Sequence, residues 1–309
     1  MLSVLGTDAA AQAPSQEADE QCREAYVGRP QTIEVCSALI DSGLVAGKDL
    51  AVAYNQRGKA YTSQRQYDRA ISDFDEAIRI DPAFVVAYVD RGYAYALGGD
   101  IDRGIEDIDR AILLDPDNPD SLMARASWYR SKGETNPYYR TLALNDLDRV
   151  IELDRPDPAM AFHLRADILQ RMGLHTRAIE DYSKVIQADL ADHWIMGAWL
   201  GRCRSEEALE LFREAVASCG QVVRRKGPDY GYAALARGIV FLKMHQFDAA
   251  IADLDAAAKR LVFPAQAYFA RGVAKRRAGD VAGGDSDVLA AIRMDANVVE
   301  KMDTRGIKP

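Results

Sequence analysis

The stretch AYNQRGKAYTSQRQYDRAISDFDEAIRIDP at residues 53–82 is followed by AYVDRGYAYALGGDIDRGIEDIDRAILLDP at residues 87–116. The two align without a gap at an offset of 34 residues. With Ala51 as position 1, Tyr54, Gly58 and Tyr61 fall at positions 4, 8 and 11, and Ala70, Phe74 and Ala77 at 20, 24 and 27. The second copy supplies Tyr88, Gly92, Tyr95, Gly104, Ile108 and Ala111 at the same places. Steps of three and four put each trio on one face of a helix. Large residues at 4, 11 and 24 fill the contact between two such helices, while small ones at 8, 20 and 27 let the backbones approach. Asp81-Pro82 and Asp115-Pro116 end the second helix of each copy, because the residue before a proline avoids the helical region. The spacing therefore predicts a helix-turn-helix unit, repeated, and an all-α protein.

The same ruler finds five more copies. The predicted repeats run over 51–84, 85–118, 119–158, 159–192, 196–229, 231–264 and 265–298. The third carries about five extra residues around Lys132–Tyr139, between its two helices. A shorter helix pair over 17–50 is expected to cap the start, and a stub over 299–309 the end, since terminal units must solvate one face of the stack. These offsets resemble the tetratricopeptide repeat (TPR) family, whose period is about 34 residues. The resemblance implies a right-handed TPR superhelix, an α-solenoid of about seven repeats with capping helices. Length alone would have suggested two ordinary domains.

Position 7 is arginine in every repeat: Arg57, Arg91, Arg125, Arg165, Arg202, Arg237 and Arg271. Position 23 is aspartate in six of them, Asp73, Asp107, Asp146, Asp181, Asp253 and Asp287, with Ser218 in the fifth. An unpaired charge on a packing face costs several kcal/mol, about 3–5 when one partner of a buried pair is removed. Each arginine is thus expected to meet an aspartate of a second helix, in its own repeat or the preceding one. The alternative, a row of arginines reaching for acidic ligands, is disfavoured because the aspartates recur in step.

Where the fifth repeat lacks its aspartate it has two cysteines, Cys203 at position 8 and Cys219 at position 24. Their separation equals that of the arginine and aspartate, so the same helix contact should bring them together. Cys22 and Cys36 fall one on each helix of the N-terminal pair. Four cysteines allow three pairings, and 22–36 with 203–219 is the local one. Free thiols serving as small core residues are the alternative. No CxxC occurs, so zinc and thioredoxin-like readings fail.

The first residues, MLSVLGTDAAAQAPSQ, hold a short apolar start and an Ala11-Gln12-Ala13 triplet resembling a small-residue cleavage site. A basic region and a full apolar stretch are missing, so 1–16 reads as the remnant of a longer export signal or as a disordered tail. The segment CREAYVGRPQTIEVCSALIDSG at 22–43, followed by these repeats, resembles exported, largely alphaproteobacterial TPR proteins. That resemblance implies a periplasmic or secreted setting; the alternative is a cytoplasmic TPR adaptor or co-chaperone with reduced cysteines.

Little in the sequence asks for chemistry. His163, His175, His193 and His245 show no metal-ligand spacing, and the Gly98–Asp100 and Ala282–Asp285 glycine runs have no preceding strand that a phosphate loop requires. No catalytic, cofactor or metal residue is predicted. The net charge of −8 argues against a nucleic-acid partner held by bulk charge, and no apolar run reaches transmembrane length. What remains is a binding surface. In TPR proteins the first helices line the concave side, with contacts near positions 2, 5, 9, 12 and 13. Those positions hold Asn55, Lys59, Tyr93, Met123, Arg130, His163, Arg171, Arg204, Tyr232, Lys243, Phe269, Arg276 and Arg277, against few acids (Asp120, Asp167, Glu207). The expected partner is a protein or peptide, with an acidic segment or C-terminal carboxylate favoured by this sign. Thiol titration of the native, unreduced protein is expected to find no free thiol. Four free thiols would overturn the paired-cysteine reading and the export argument resting on it.

Overall fold

The computed structural model describes Cys22 and residues 30–153, 158–188 and 191–309. The expected segment 1–16 lies outside the described residues, as does most of the first helix of the N-terminal pair. Among the described residues there are sixteen helices and no strand. The chain divides into two compact units, residues 1–153 and 154–309. The first unit holds α1 (Pro30–Asp41), α2 (Gly47–Ser63), α3 (Tyr67–Ile80), α4 (Val85–Leu97), α5 (Ile101–Leu114), α6 (Pro119–Lys132) and α7 (Tyr138–Glu152). The second holds α8 (Ala159–Arg171), α9 (His175–Gln187), α10 (Asp192–Ala208), α11 (Phe212–Arg225), α12 (Tyr230–Lys243), α13 (Phe247–Arg260), α14 (Ala265–Arg277), α15 (Val281–Met294) and α16 (Val298–Asp303). Within each unit every helix packs on its neighbours in sequence, so each is a stack of helix pairs.

The small-against-large rule holds the pairs together. A Cβ on Gly58 would lie 2.7 Å from the ring of Phe74, and one on Gly272 only 2.7 Å from the carbonyl oxygen of Gly284. Nothing larger fits at either crossing. Side-chain caps fix several helix starts: Asp100 accepts from the Arg103 amide, Asn118 from Ser121 and Asp280 from Gly283. The reversal between helices has a constant conformation. Position 15 is left-handed in six repeats, as Gly99, Gly173 and Gly279 but also as Arg65, Glu210 and His245 at φ near 60°. Glycine at these turns therefore serves the reversal and no phosphate loop. The helices carrying the first and fifth repeats begin one turn before the 34-residue ruler places them, at Gly47 and Asp192.

Six of the seven arginines meet an aspartate of the second helix in their own repeat, and Arg91, Arg125 and Arg271 also reach one in the preceding repeat. Arg57 grips Asp73 of its own repeat through Nε and Nη2 at 2.8 and 2.7 Å, and Arg91 grips Asp107 at 2.8 and 2.6 Å. The same fork joins Arg125 to Asp146, Arg165 to Asp181, Arg237 to Asp253 and Arg271 to Asp287. The remaining nitrogen, Nη1, turns back to position 25 of the repeat before: Arg91 to Asp75, Arg125 to Asp109 and Arg271 to Asp255 at 2.6–2.7 Å. Arg57 reaches Ser37 of the N-terminal cap in the same way. Hydrogen bonds to these carboxylates, outweighing burial, raise the guanidinium pKa of Arg57, Arg91, Arg125, Arg237 and Arg271. The forks are bidentate and mostly sheltered from water, the geometry in which an ion pair contributes most.

The fifth repeat departs from this pattern on both sides. With Ser218 at position 23, Arg202 binds Glu206 one turn along its own helix at 2.7 Å, and its Nη1 reaches Ser183. Position 25 is Gly220, so Arg237 has no acid to turn back to. Here the Cys203–Cys219 disulfide crosses the helix contact, with Cα atoms 5.4 Å apart. Cys22 and Cys36 form the second bridge, Cα atoms 5.1 Å apart, and there is no free cysteine. Each closes a loop of about 15 residues, worth roughly 3 kcal/mol in the chain-entropy account. Gly220→Asp is expected to stabilise the protein by about 1 kcal/mol, by removing a helical glycine and giving Arg237 its second carboxylate. A Cβ there would sit 3.8 Å from Arg237 Nη1, an open approach. An unchanged or lowered urea midpoint would contradict it.

Candidate binding faces on the first helices

In the second unit the first-helix residues enclose a cavity of about 720 Å³. Its lining includes Gln170 of α8, Arg204, Glu207 and Ala208 of α10, Tyr232, Leu235, Ala236 and Lys243 of α12, and Gln266 of α14. In repeat register these are positions 2, 5, 6, 9, 12 and 13. His175, Glu210, Leu261, Phe263, Thr304 and Arg305 complete the wall. Gln170 ties two repeats together here, donating to the Gly201 carbonyl at 2.6 Å and to Ser205 Oγ at 2.8 Å.

The electrostatics of the cavity centre on Glu207, a buried carboxylate only 5% exposed. Lys243 Nζ donates to its Oε1 at 3.0 Å, and Arg305 Nη2 to its Oε2 at 2.5 Å. Among the described residues Arg204 makes no ion pair, although Glu207 and Asp229 attract it. Its side chain reaches water yet has protein on most sides, and that burial, with Arg305 beside it, lowers its pKa. Apolar surface stands next to these charges: Tyr232 is 49% exposed and Phe263 87%.

The first unit has a different character. Asn55, 3% exposed, donates from Nδ2 to Asp90 at 2.9 Å, while its own Oδ1 is buried without a partner. Burial raises the pKa of Asp90, partly offset by the Asn55 hydrogen bond and by Lys59. Tyr93 packs edge-on against Trp128 with centroids 5.3 Å apart, and burial, then Asp120 and Asp90, raise its pKa. Two carboxylates and one lysine surround these rings, so this face is not basic.

Tetratricopeptide repeat family models match residues 51–84, 85–118, 160–192 and 235–296. The chain belongs to the tetratricopeptide repeat family. No curated protein matches it. Among solved structures, it is similar to a tetratricopeptide repeat protein from Parabacteroides merdae at 17% identity, covering 83% of this chain and 99% of that one with a TM-score of 0.59. The C-terminal part of a TPR repeat-containing protein from Cytophaga hutchinsonii also matches at 17% identity, with 80% and 95% covered and a TM-score of 0.63. YrrB, described as a TPR protein with an unusual peptide-binding site, is 14% identical over 60% of this chain and 91% of its own, with a TM-score of 0.51. At these identities the likeness is one of fold.

Within this TPR frame the sequence-predicted contact residues separate into groups. Arg204, Tyr232 and Lys243 meet in the second unit's cavity. Asn55, Lys59 and Tyr93 cluster about Asp90 in the first unit, while Met123 and Arg130 are half-buried on α6. His163 packs edge-on against Trp194 and Tyr182, and Arg171 pairs with Asp167 at 3.3 Å. Arg276 is held by Asp285 at 2.6 Å, and Arg277 is exposed. Phe269 is fully buried, in one apolar cluster with Val298, Met302 and Ile307, so it is core and offers a ligand nothing. Position 5 is buried in the first, fifth and sixth repeats as well, at Asn55, Leu200 and Leu235.

Arg305, Phe263, His175 and Asp90 were not legible as site residues. Arg305 and Phe263 lie outside the first helices, and Asp90 stands at position 6, one step off the expected set. Glu207→Ala leaves Lys243 and Arg305 without their carboxylate. It is expected to loosen the segment from Val298 to Ile307, speeding amide exchange there by tenfold or more, with α2–α7 unchanged. Unaltered exchange in that segment would show that the cap does not depend on this pair.

Proposed function

We propose that the chain is a non-enzymatic scaffold that holds a peptide segment or partner protein along its first-helix faces, in the periplasm or outside the cell. The TPR fold supports the interaction role, and the carrying observation is the second unit's cavity. It is lined by outward positions of successive first helices and combines an unpaired cation with exposed aromatic surface. Core residues cannot serve this purpose, and the second helices present charges of both signs to solvent. The peptide-binding site named for YrrB agrees with this reading.

The acidic or C-terminal preference of the ligand is assigned to the second unit, where the cations converge, and not to the first. The compartment rests on two disulfides at buried helix contacts, which a reducing cytosol would not maintain. A photo-crosslinking residue introduced separately at Tyr93, Tyr232 and Leu113 tests the face used. Leu113 lies on a second helix and is 68% exposed. In the native envelope, crosslinks to a common partner are expected from 93 or 232 and not from 113. Capture from 113 alone would place the partner on the opposite side and refute the reading.

A further inference from the structure

Three cations, Arg204, Lys243 and Arg305, surround one buried carboxylate, Glu207. The cavity's other acid, Glu210, is exposed at its rim. Glu207 accepts from Lys243 on one oxygen and from Arg305 on the other, and Arg204 makes no hydrogen bond to it. Arg204 has the like charge of Arg305 beside it, and Glu207 and Asp229 attract it without forming an ion pair. The backbone is held at both arginines. Arg204 follows Cys203, which is bridged to α11. Arg305 sits in a tight turn closed by the Ile307 amide on the Met302 carbonyl at 2.9 Å, with both of those side chains buried. Three cations around one carboxylate leave the cavity an excess of positive charge that another anion can neutralise.

The wall beside them is apolar, formed by Tyr232 and the protruding Phe263. We propose that Arg204 and Arg305 form a subsite for the carboxylate of an amphipathic ligand whose apolar part rests on Tyr232 and Phe263. The proposal rests on the reading of the first-helix face as a binding face. It adds that the C-terminal segment supplies part of the site. The carboxylate can come from an acidic side chain beside an aromatic one in a peptide, or from a free aryl-alkyl carboxylate.

Calorimetry at constant ionic strength separates these sources. The probes are a capped hexapeptide containing Glu-Phe, its Gln-Phe counterpart, 3-phenylpropionate and 3-phenylpropionamide. The acid of each pair is expected to bind at least tenfold more tightly than its amide. Arg204→Gln and Arg305→Gln should each remove that difference. Arg204→Gln should also keep or raise the melting temperature, since it relieves a repulsion; a purely structural arginine would lower it. Arg305→Gln leaves Lys243 on Glu207 and gives a second, folded test.

Peptides that bind alike whether acidic or neutral would overturn the subsite and leave the groove reading standing. Binding of phenylpropionate with neither peptide would support the subsite and overturn the peptide reading. Absence of binding by every probe, or an acid preference that survives both substitutions, would overturn the proposal.

Discussion

The structure depends on a guanidinium shared between two helix pairs. Five nitrogen-bound hydrogens on a planar fork let one side chain bind a carboxylate in its own repeat with two nitrogens and reach the previous repeat with the third. Arg91, Arg125 and Arg271 do so completely. The fork fixes the angle between the two helices of a pair, and the third nitrogen fixes the step between pairs. One residue therefore sets both geometric parameters of the stack. Apolar contact alone would leave the helices freer to slide, because small-against-large packing is less directional.

The fifth repeat shows what happens when that residue loses its partners. Ser218 and Ser183 stand where Arg202 would meet its two acids, and a covalent bond crosses the same helix contact. Arg202 turns to Glu206 on its own helix, drawing a carboxylate into a buried position, and Glu207 follows it inward. The helix that departs most from the repeat pattern is thus the one that carries Arg204 and Glu207 into the cavity. Local inconsistency with a repeat pattern is where functional constraint is expected to show. Regular repeats build the frame, and the irregular one furnishes it.

Much of this was legible in the sequence. The 34-residue period, the small and large positions, the arginine–aspartate pairing and both cysteine pairs follow from spacing on helical faces. The position-25 acids were harder, because they answer an arginine in another repeat and have no partner within their own. Arg305 could not be found by periodicity at all. Its partner is 98 residues away, and its placement depends on a turn after the last full repeat. Phe269 was misleading because position 5 is half-exposed in some repeats and buried in others, Leu200, Leu235 and Phe269 among them. Terminal units break the equivalence that a repeat alignment assumes.

A stack joined neighbour to neighbour also has a mechanical character. Tension applied to the second unit from its C-terminus would first have to break the Arg305–Glu207 pair, which ties the last segment to a helix 98 residues earlier. It would then peel the unit helix by helix. The Cys203–Cys219 bridge withholds a stretch of chain from that extension, about 50 Å of contour for a separation of 16 residues. Peeling from the C-terminal side would meet this knot just after releasing the helix that carries Tyr232. A load-bearing tether built this way would keep α10 and α11 paired after its later repeats had unravelled.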